Sequence, residues 1–480
     1  MDKFARAMPP PAMMARHPGP GPNMAPALRL RVSPWAYAPL AAALALRLAS
    51  EPTADLSYLA LAFYALAGRP QALRALAMSW LFTMISPGIA PDAAYAAIGR
   101  YAVLGGAVLS MLLHGGLFRG SPRGGGIILA TMLLGLFLIL HSNFFSPMAD
   151  VSMLKAVSWA VAMTTIFAAW TGLSQTERVT VTAELFGLLV LVLLASLPLI
   201  VLPLGYLRNG TGFQGILNHP QAFGPTMALL GSWATARLLA EHRPAWSSVA
   251  FLGLCLFAVL ASEARTAGFA MVLGVGLSVL AAPGLSGKPM RRLFPGLRSP
   301  RLWSALFAAL LGGLMLAPVI AQRFDQYIRK SGRAEVETFL QAYDLSRGRL
   351  MDRMWENIAE RPFTGSGFGI ASEPALMIVT RDPILGLPIG ASIEKGVLPL
   401  AIVEEIGIAG SLLMGMWLFR LMRGSARGGV ASFSVSLTAL LLNLGEATLF
   451  SFGGFGLLLL LLLGWGGTST QTVAGTARHG

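Results

Sequence analysis

Apolar positions in this chain fall in long unbroken runs, without the strict alternation of half-buried strands or the narrow stripe of a soluble amphipathic helix. A hydrocarbon core about 30 Å thick takes about 20 apolar residues as a helix, and this chain offers many such runs. Candidate spans fall at 35–49, 56–68, 73–90, 99–117, 126–141, 155–174, 183–203, 220–240, 246–262, 266–283 and 302–321. After a long polar gap come 396–419, 430–446 and 454–466. The first two are short and fit a re-entrant hairpin or one tilted span. The pattern predicts an all-α polytopic membrane protein with 12–14 transmembrane helices.

The breaks in the pattern divide the chain. Residues 1–34 hold eight prolines, five basic residues and one acid, Asp2, a composition expected of a disordered basic tail. This stretch lacks the apolar run and small-residue cleavage site of a signal peptide. A helical body over 35–321 leads to one large loop, 322–395, followed by C-terminal helices over 396–466 and a tail, 467–480. Within the loop, 344–363 is amphipathic, with Leu345, Met351, Trp355 and Ile358 recurring near the 3.6 period. It is expected either as a surface helix lying on the membrane or as a lid over an active site.

Composition narrows the class. Of 480 residues, 55% are hydrophobic and 12% charged, against about 25% charged in soluble domains. Mean hydropathy is +0.65. A soluble enzyme, a disordered chain and a nucleic-acid-binding module are excluded. The net charge of +14 therefore says nothing of nucleic acid and is read by location. Summed over alternate loops, one set carries +18, with +5 from 284–301 and +4 from the N-terminal tail, while the other carries −2. That asymmetry predicts cytoplasmic termini and an extracytoplasmic 322–395 loop. The single cysteine, Cys255, permits no intramolecular disulfide, and six scattered histidines offer no metal-ligand spacing. No metal and no cofactor are expected.

Ionisable residues at membrane depth are costly and are kept where they pair or act. Here they gather at the predicted outer ends of helices: Lys155, Arg208, Arg265, Arg347 on the loop, and Lys395, Glu404 and Glu405 where the chain re-enters the membrane. Guanidinium groups grip phosphate through parallel N–H donors. A polyprenyl diphosphate, with its lipid in the bilayer and its head at the outer surface, suits such a set. As a leaving group in glycosyl transfer, it would also need its developing charge stabilised. Structural rivals are membrane-anchoring snorkelling for Arg208 and Arg323, and a helix-pairing bridge to Glu263 for Arg265.

Several stretches resemble the O-antigen polymerase/ligase family of membrane glycosyltransferases. They are Gly215-Ile-Leu-Asn-His-Pro-Gln221, Ser262-Glu-Ala-Arg265-Thr-Ala-Gly268, Ser346-Arg347 through Gly369, Glu394-Lys395-Gly396 through Gly410, and Asn443 through Gly454. They span 205–454 in the family's order and share one predicted side of the membrane. The resemblance implies a C-type glycosyltransferase fold with one large extracytoplasmic loop. It implies metal-independent transfer of a glycan from undecaprenyl diphosphate, without nucleotide sugar. Arg265 and Arg347 match the arginines thought to hold the diphosphate, with Lys395 and Lys155 as further cations. Where ligase members carry a His after the loop, this chain has Glu394-Lys395-Gly396. That departure weakens a ligase assignment.

An attacking acceptor hydroxyl must lose a proton. Glu405 and Glu446 are the candidate bases, with Glu404 and His219 behind them; His219, before Pro220, also fits a helix-start cap. The Gly365, Gly367 and Gly369 run is read as a tight turn, since no Lys-Ser/Thr follows it as in a phosphate loop. The leading expectation is a polysaccharide polymerase of a Gram-negative inner membrane. It would join undecaprenyl-diphosphate-linked repeat units alongside a chain-length regulator and flippase of the same pathway. The alternatives are a ligase acting on lipid A–core or another acceptor, and, in a different class, a lipid-linked oligosaccharide flippase. Against the flippase, no inverted repeat is visible and the ionisable residues avoid the midplane.

Overall fold

The computed structural model describes residues 34–119, 122–208, 210–315, 317–318, 339–382, 386–391 and 395–469. The disordered tail expected over 1–34 falls almost wholly on residues outside these ranges. A helix stands at each predicted span. In order they are α1 (Ala38–Ala49), α2 (Glu51–Ala65), α3 (Arg69–Met84), α4 (Ala96–Leu113), α5 (Pro122–Phe145), α6 (Ala149–Thr171) and α7 (Gln175–Ser196). Then come α8 (Pro220–Ala240), α9 (Trp246–Ala261), α10 (Arg265–Ser286), the short α11 (Met290–Leu293) and α12 (Pro300–Met315). The loop contributes α13 (Phe339–Glu360), and α14 (Leu398–Gly428), α15 (Val430–Leu442) and α16 (Phe455–Thr468) complete the body.

The chain is a mostly helical multi-pass membrane protein. Among the described residues, α4, α5, α6, α7, α10 and α14 contain stretches both long and apolar enough to cross a membrane. The helices start where local chemistry favours it. Proline opens the first turn of α2, α3, α8 and α14, where its missing N–H costs nothing. Ser174 caps α7, its hydroxyl accepting from Glu177 N while the Glu177 carboxylate accepts from Ser174 N at 2.9 Å. α1 and α2, of 12 and 15 residues, meet at Ser50. At about 1.5 Å per residue neither alone reaches about 30 Å, so the two short apolar runs form a packed helix pair.

The most hydrophobic helix lies innermost. Leu457 through Leu463 of α16 are all buried, and the helix packs against α3, α6, α14 and α15. Lipid is as apolar as leucine, so close approach must come from small residues. A Cβ on Gly464 would strike Ile166, and one on Gly467 would strike Leu421. Hydroxyl pairs then knit the helices: Ser232 with Thr438 at 2.7 Å, and Ser278 with Ser434 at 2.6 Å.

α6 runs from Lys155 near one end of the bundle to Trp170 near the other. At the Trp170 end, buried guanidinium groups find acceptors. Arg74 makes two bonds to Glu184, at 2.7 and 2.8 Å, and Arg178 donates to the carbonyls of Thr468 and Trp170. The opposite end carries the loop. The described part of the loop departs from all-α: Val379–Arg381 (β1) pairs antiparallel with Pro388–Ala391 (β2), Val379 opposite Ala391 and Thr380 opposite Gly390. The amphipathic helix predicted over 344–363 is present as α13, but its inward face differs. Met354 and Ile358 are buried, whereas Trp355, one position round the helix, is 57% exposed. Met354 and Ile358 lie four apart on one face, and Trp355 points away from it.

Candidate functional site

The site is built around a break in α14. Gly407 takes φ 64° and ψ −177°, which no helix interior tolerates and which L side chains rarely adopt. The break frees backbone groups of the preceding turn. The Gly365–Gly369 segment, itself bent by positive φ at three glycines, takes them up. Ser366 N donates to Glu404 O at 2.8 Å, Gly367 N to Glu405 O at 2.9 Å, and Ile408 N to Pro362 O at 2.9 Å. The glycine run is thus a tight turn, and its role is to lock the loop onto the kinked helix.

The kink sets two consecutive carboxylates around one ammonium. Lys395 Nζ lies 2.9 Å from Glu404 Oε2 and 3.0 Å from Glu405 Oε1, with the Lys395 side chain fully enclosed. The ammonium makes no aligned hydrogen bond, so the attraction is Coulombic, strengthened by the enclosure of all three side chains. The other carboxylate oxygens are engaged as well. Asn357 Nδ2 on α13 donates to Glu404 Oε1 at 2.7 Å, and Gly369 N donates to Glu405 Oε2 at 2.7 Å. Lys155 on α6 closes the arrangement by donating to Gly369 O at 2.7 Å. One residue, Gly369, therefore links Lys155 to Glu405 through its carbonyl and its N–H.

Above this network lies a cavity of about 540 Å³. Its walls come from the start of α4 (Arg100, Tyr101), the first turns of α6 (Lys155, Ser158), the β-hairpin and the turn around 447–453; Glu405 also lines it. The hairpin is fastened to α6 by Arg381 and Asp150, 2.7 Å apart.

The sequence-predicted residues divide between this cavity and its surroundings. Lys155 and Glu405 line it. Lys395 does not: held between two carboxylates and 3% exposed, it is out of reach of a ligand and supports the floor instead of gripping phosphate. Glu446 is half-buried on the turn whose next residue, Ala447, lines the cavity; Ala447 N donates to Lys395 O at 2.9 Å. Arg265 opens α10 as a half-buried residue, and the start of that helix packs against the same turn, since a Cβ on Gly445 would strike Thr266. Glu263 beside it sits at φ 55° and accepts from Thr211 Oγ1 at 3.2 Å. His219 caps α8, its Nδ1 accepting from Gln221 N at 2.9 Å. Arg347 falls on α13, with its side chain outside the described residues.

Arg100 was not among the sequence-predicted site residues. It is a lone arginine near the start of a span, balanced in its loop by Asp92, and its only sequence signal was that it stands in an otherwise apolar helix start. Among the described residues, no cluster of three His, Cys, Asp or Glu is placed to hold a metal. No protein-family model and no curated protein matches this chain.

Proposed function

We propose that this chain is a polysaccharide polymerase, a metal-independent membrane glycosyltransferase using a polyprenyl-diphosphate donor. The observation that carries the reading is the cavity at the loop end, where cationic side chains and a carboxylate meet over an apolar bundle. A lipid-linked diphosphate needs that combination: cations for the head, and a bilayer beside the site for the tail. The loop charges, +18 against −2, favour cytoplasmic termini, and with that orientation the cavity would open at the outer face of the inner membrane.

In this reading the terminal hydroxyl of one lipid-linked unit attacks the anomeric carbon of another. The new glycosidic C–O bond forms as the bond to the diphosphate breaks, and polyprenyl diphosphate leaves with the electron pair. Arg265 and Arg347 stabilise that departing charge. The hydroxyl proton goes to a carboxylate. Glu405, which lines the cavity, and Glu446, on the turn whose next residue lines it, are the two candidates. Glu394-Lys395-Gly396 in place of the ligase histidine favours attack by another repeat unit over transfer to lipid A–core.

The test is stoichiometry. Purified protein given a lipid-linked repeat unit should release one polyprenyl diphosphate per glycosidic bond formed, with EDTA present. Movement of the donor across a vesicle bilayer without bond formation would replace this reading with a transporter.

A further inference from the structure

The bundle end opposite the loop carries a basic surface that glycosyl transfer does not use. Residues 284–301, between α10 and α12, hold five basic residues and no acid, and residues 420–429, at the end of α14, hold three and no acid. Lys288, Arg291, Arg292, Arg298, Arg423 and Arg427 are all exposed. Among the described residues, their side chains find no hydrogen-bond or ion-pair partner within the protein. The nearest acid, Glu241, is already engaged by Arg237 at 3.5 Å.

These cations stand on a fixed platform. Leu293 and Phe294 of the α11 segment are buried in one apolar cluster with Ala236 of α8, Ala282 of α10 and Ala426 of α14. The turn that follows, Pro295–Arg298, presses on the end of α8, where a Cβ on Gly296 would strike Leu238 O. Arg301 donates to Pro244 O at 3.4 Å, which ties the start of α12 to the segment before α9. Arg291 and Arg292 on α11, and Arg427 beside Ala426, therefore flank a single buried cluster. A cation that merely snorkels from one helix end needs no such support. Like charges held side by side repel, and an anion among them relieves that repulsion.

The surroundings identify the anion. Trp246 opens α9 and Trp303 lies in the first turn of α12, 55% and 56% exposed. Tryptophan gathers at the headgroup level of a bilayer, so these rings set the basic residues level with lipid phosphates. Deeper along α12 no residue is buried, and Leu306 and Phe307 offer an apolar surface to acyl chains. A phosphodiester only accepts hydrogen bonds, which suits guanidinium forks with no other acceptor. Basic surfaces at helix ends attract anionic lipid on these terms.

We propose that the surface formed by α11, the 295–298 turn and the end of α14 binds the headgroup of an anionic phospholipid. Arg291 and Arg292 are its main grip, and the acyl chains run along α12. The site lies at the opposite end of the bundle from the cavity and does not depend on the polymerase reading.

The experiment is native mass spectrometry of purified full-length protein with added phosphatidylglycerol or phosphatidylcholine of the same acyl chains. Wild type should retain phosphatidylglycerol at least about tenfold more strongly. Arg291→Gln combined with Arg292→Gln should weaken that retention at least about tenfold. Arg119→Gln combined with Arg353→Gln removes equal charge from outside this surface and should match wild type. Because Arg291 and Arg292 have no partner among the described residues, the lipid-free melting temperature of their Gln variant should stay near wild type. Should that variant fail to fold, Arg291→Lys with Arg292→Lys carries the test, since it keeps the charge, loses both forks and should bind several-fold more weakly. An excess of glycerol phosphate should leave the lipid bound.

Equal retention of the two lipids by wild type overturns the site. So does wild-type affinity in the Gln variant, or in the Lys variant where Gln does not fold. An equal loss in the charge-matched control overturns it as well, because the effect would then be general electrostatics. Displacement by glycerol phosphate would reassign the surface to a soluble phosphate compound, and retention of neither lipid would leave it to an acidic protein; both results end the lipid proposal.

Discussion

Lys155 and Glu405 are tied together through a single loop residue, Gly369. Lys155 Nζ donates to Gly369 O and Gly369 N donates to Glu405 Oε2, each at 2.7 Å. The loop thus fixes one cation of α6 and one carboxylate of α14 at a set separation beneath the cavity.

Gly369 has φ 69°, and a Cβ there would lie 2.6 Å from Lys155 Cδ. Gly369→Ala should cost about 1–2 kcal/mol in backbone strain alone. It should also displace Lys155. A lowered melting temperature with product formation reduced at least about tenfold is expected; a variant indistinguishable from wild type would show that the linkage is dispensable.

Removing one member of a buried ion cluster leaves the others uncompensated. Lys395→Met should destabilise the protein by about 3–5 kcal/mol, because Glu404 and Glu405 would face each other without the ammonium. Adding Glu404→Gln and Glu405→Gln to Lys395→Met should recover part of the loss. Thermal unfolding in detergent reads both, and a stable Lys395→Met protein would contradict the positioning role.

The layout of this site was only partly legible in the sequence. Run length located the helices because each must hide its backbone from lipid, whatever its neighbours. It could not tell which helix lies innermost, since Leu457–Leu463 look as lipid-facing as any run; only the glycines and the partners they meet decide that. Glu404 and Glu405 stood out as adjacent charges in an apolar run, but their partner's role did not. Lys395 resembles a ligand-binding cation until Gly407 breaks the helix and turns both carboxylates onto it. On the loop, Trp355 was the natural anchor by size, yet Met354 holds the inward position. Arg100 stands alone in an apolar helix start, and only the fold brings it to the cavity wall beside Lys155.

If Arg265 and Arg347 stabilise the leaving diphosphate, replacing either fork with a point charge should slow chemistry selectively. Arg265→Lys and Arg347→Lys should each lose roughly 100-fold in rate, about 3 kcal/mol, with normal expression and melting. Arg208→Lys should stay near wild type. Loss of protein in Arg265→Ala, reproduced by Glu263→Ala, would point to a structural bridge instead.

Topology can be read without first removing cysteine, because Cys255 is buried. In intact spheroplasts an impermeant maleimide should label Glu373→Cys on the loop and spare Lys288→Cys between α10 and α11. The reverse pattern would invert the orientation and place the cavity in the cytoplasm.

The central claim is that this protein forms glycosidic bonds between lipid-linked units. Purified protein supplied with one defined undecaprenyl-diphosphate-linked repeat unit, and no other acceptor, should yield a ladder of products spaced by one repeat, resolved by electrophoresis and mass spectrometry. A single unextended band under conditions where the donor is intact and the protein folded would contradict it.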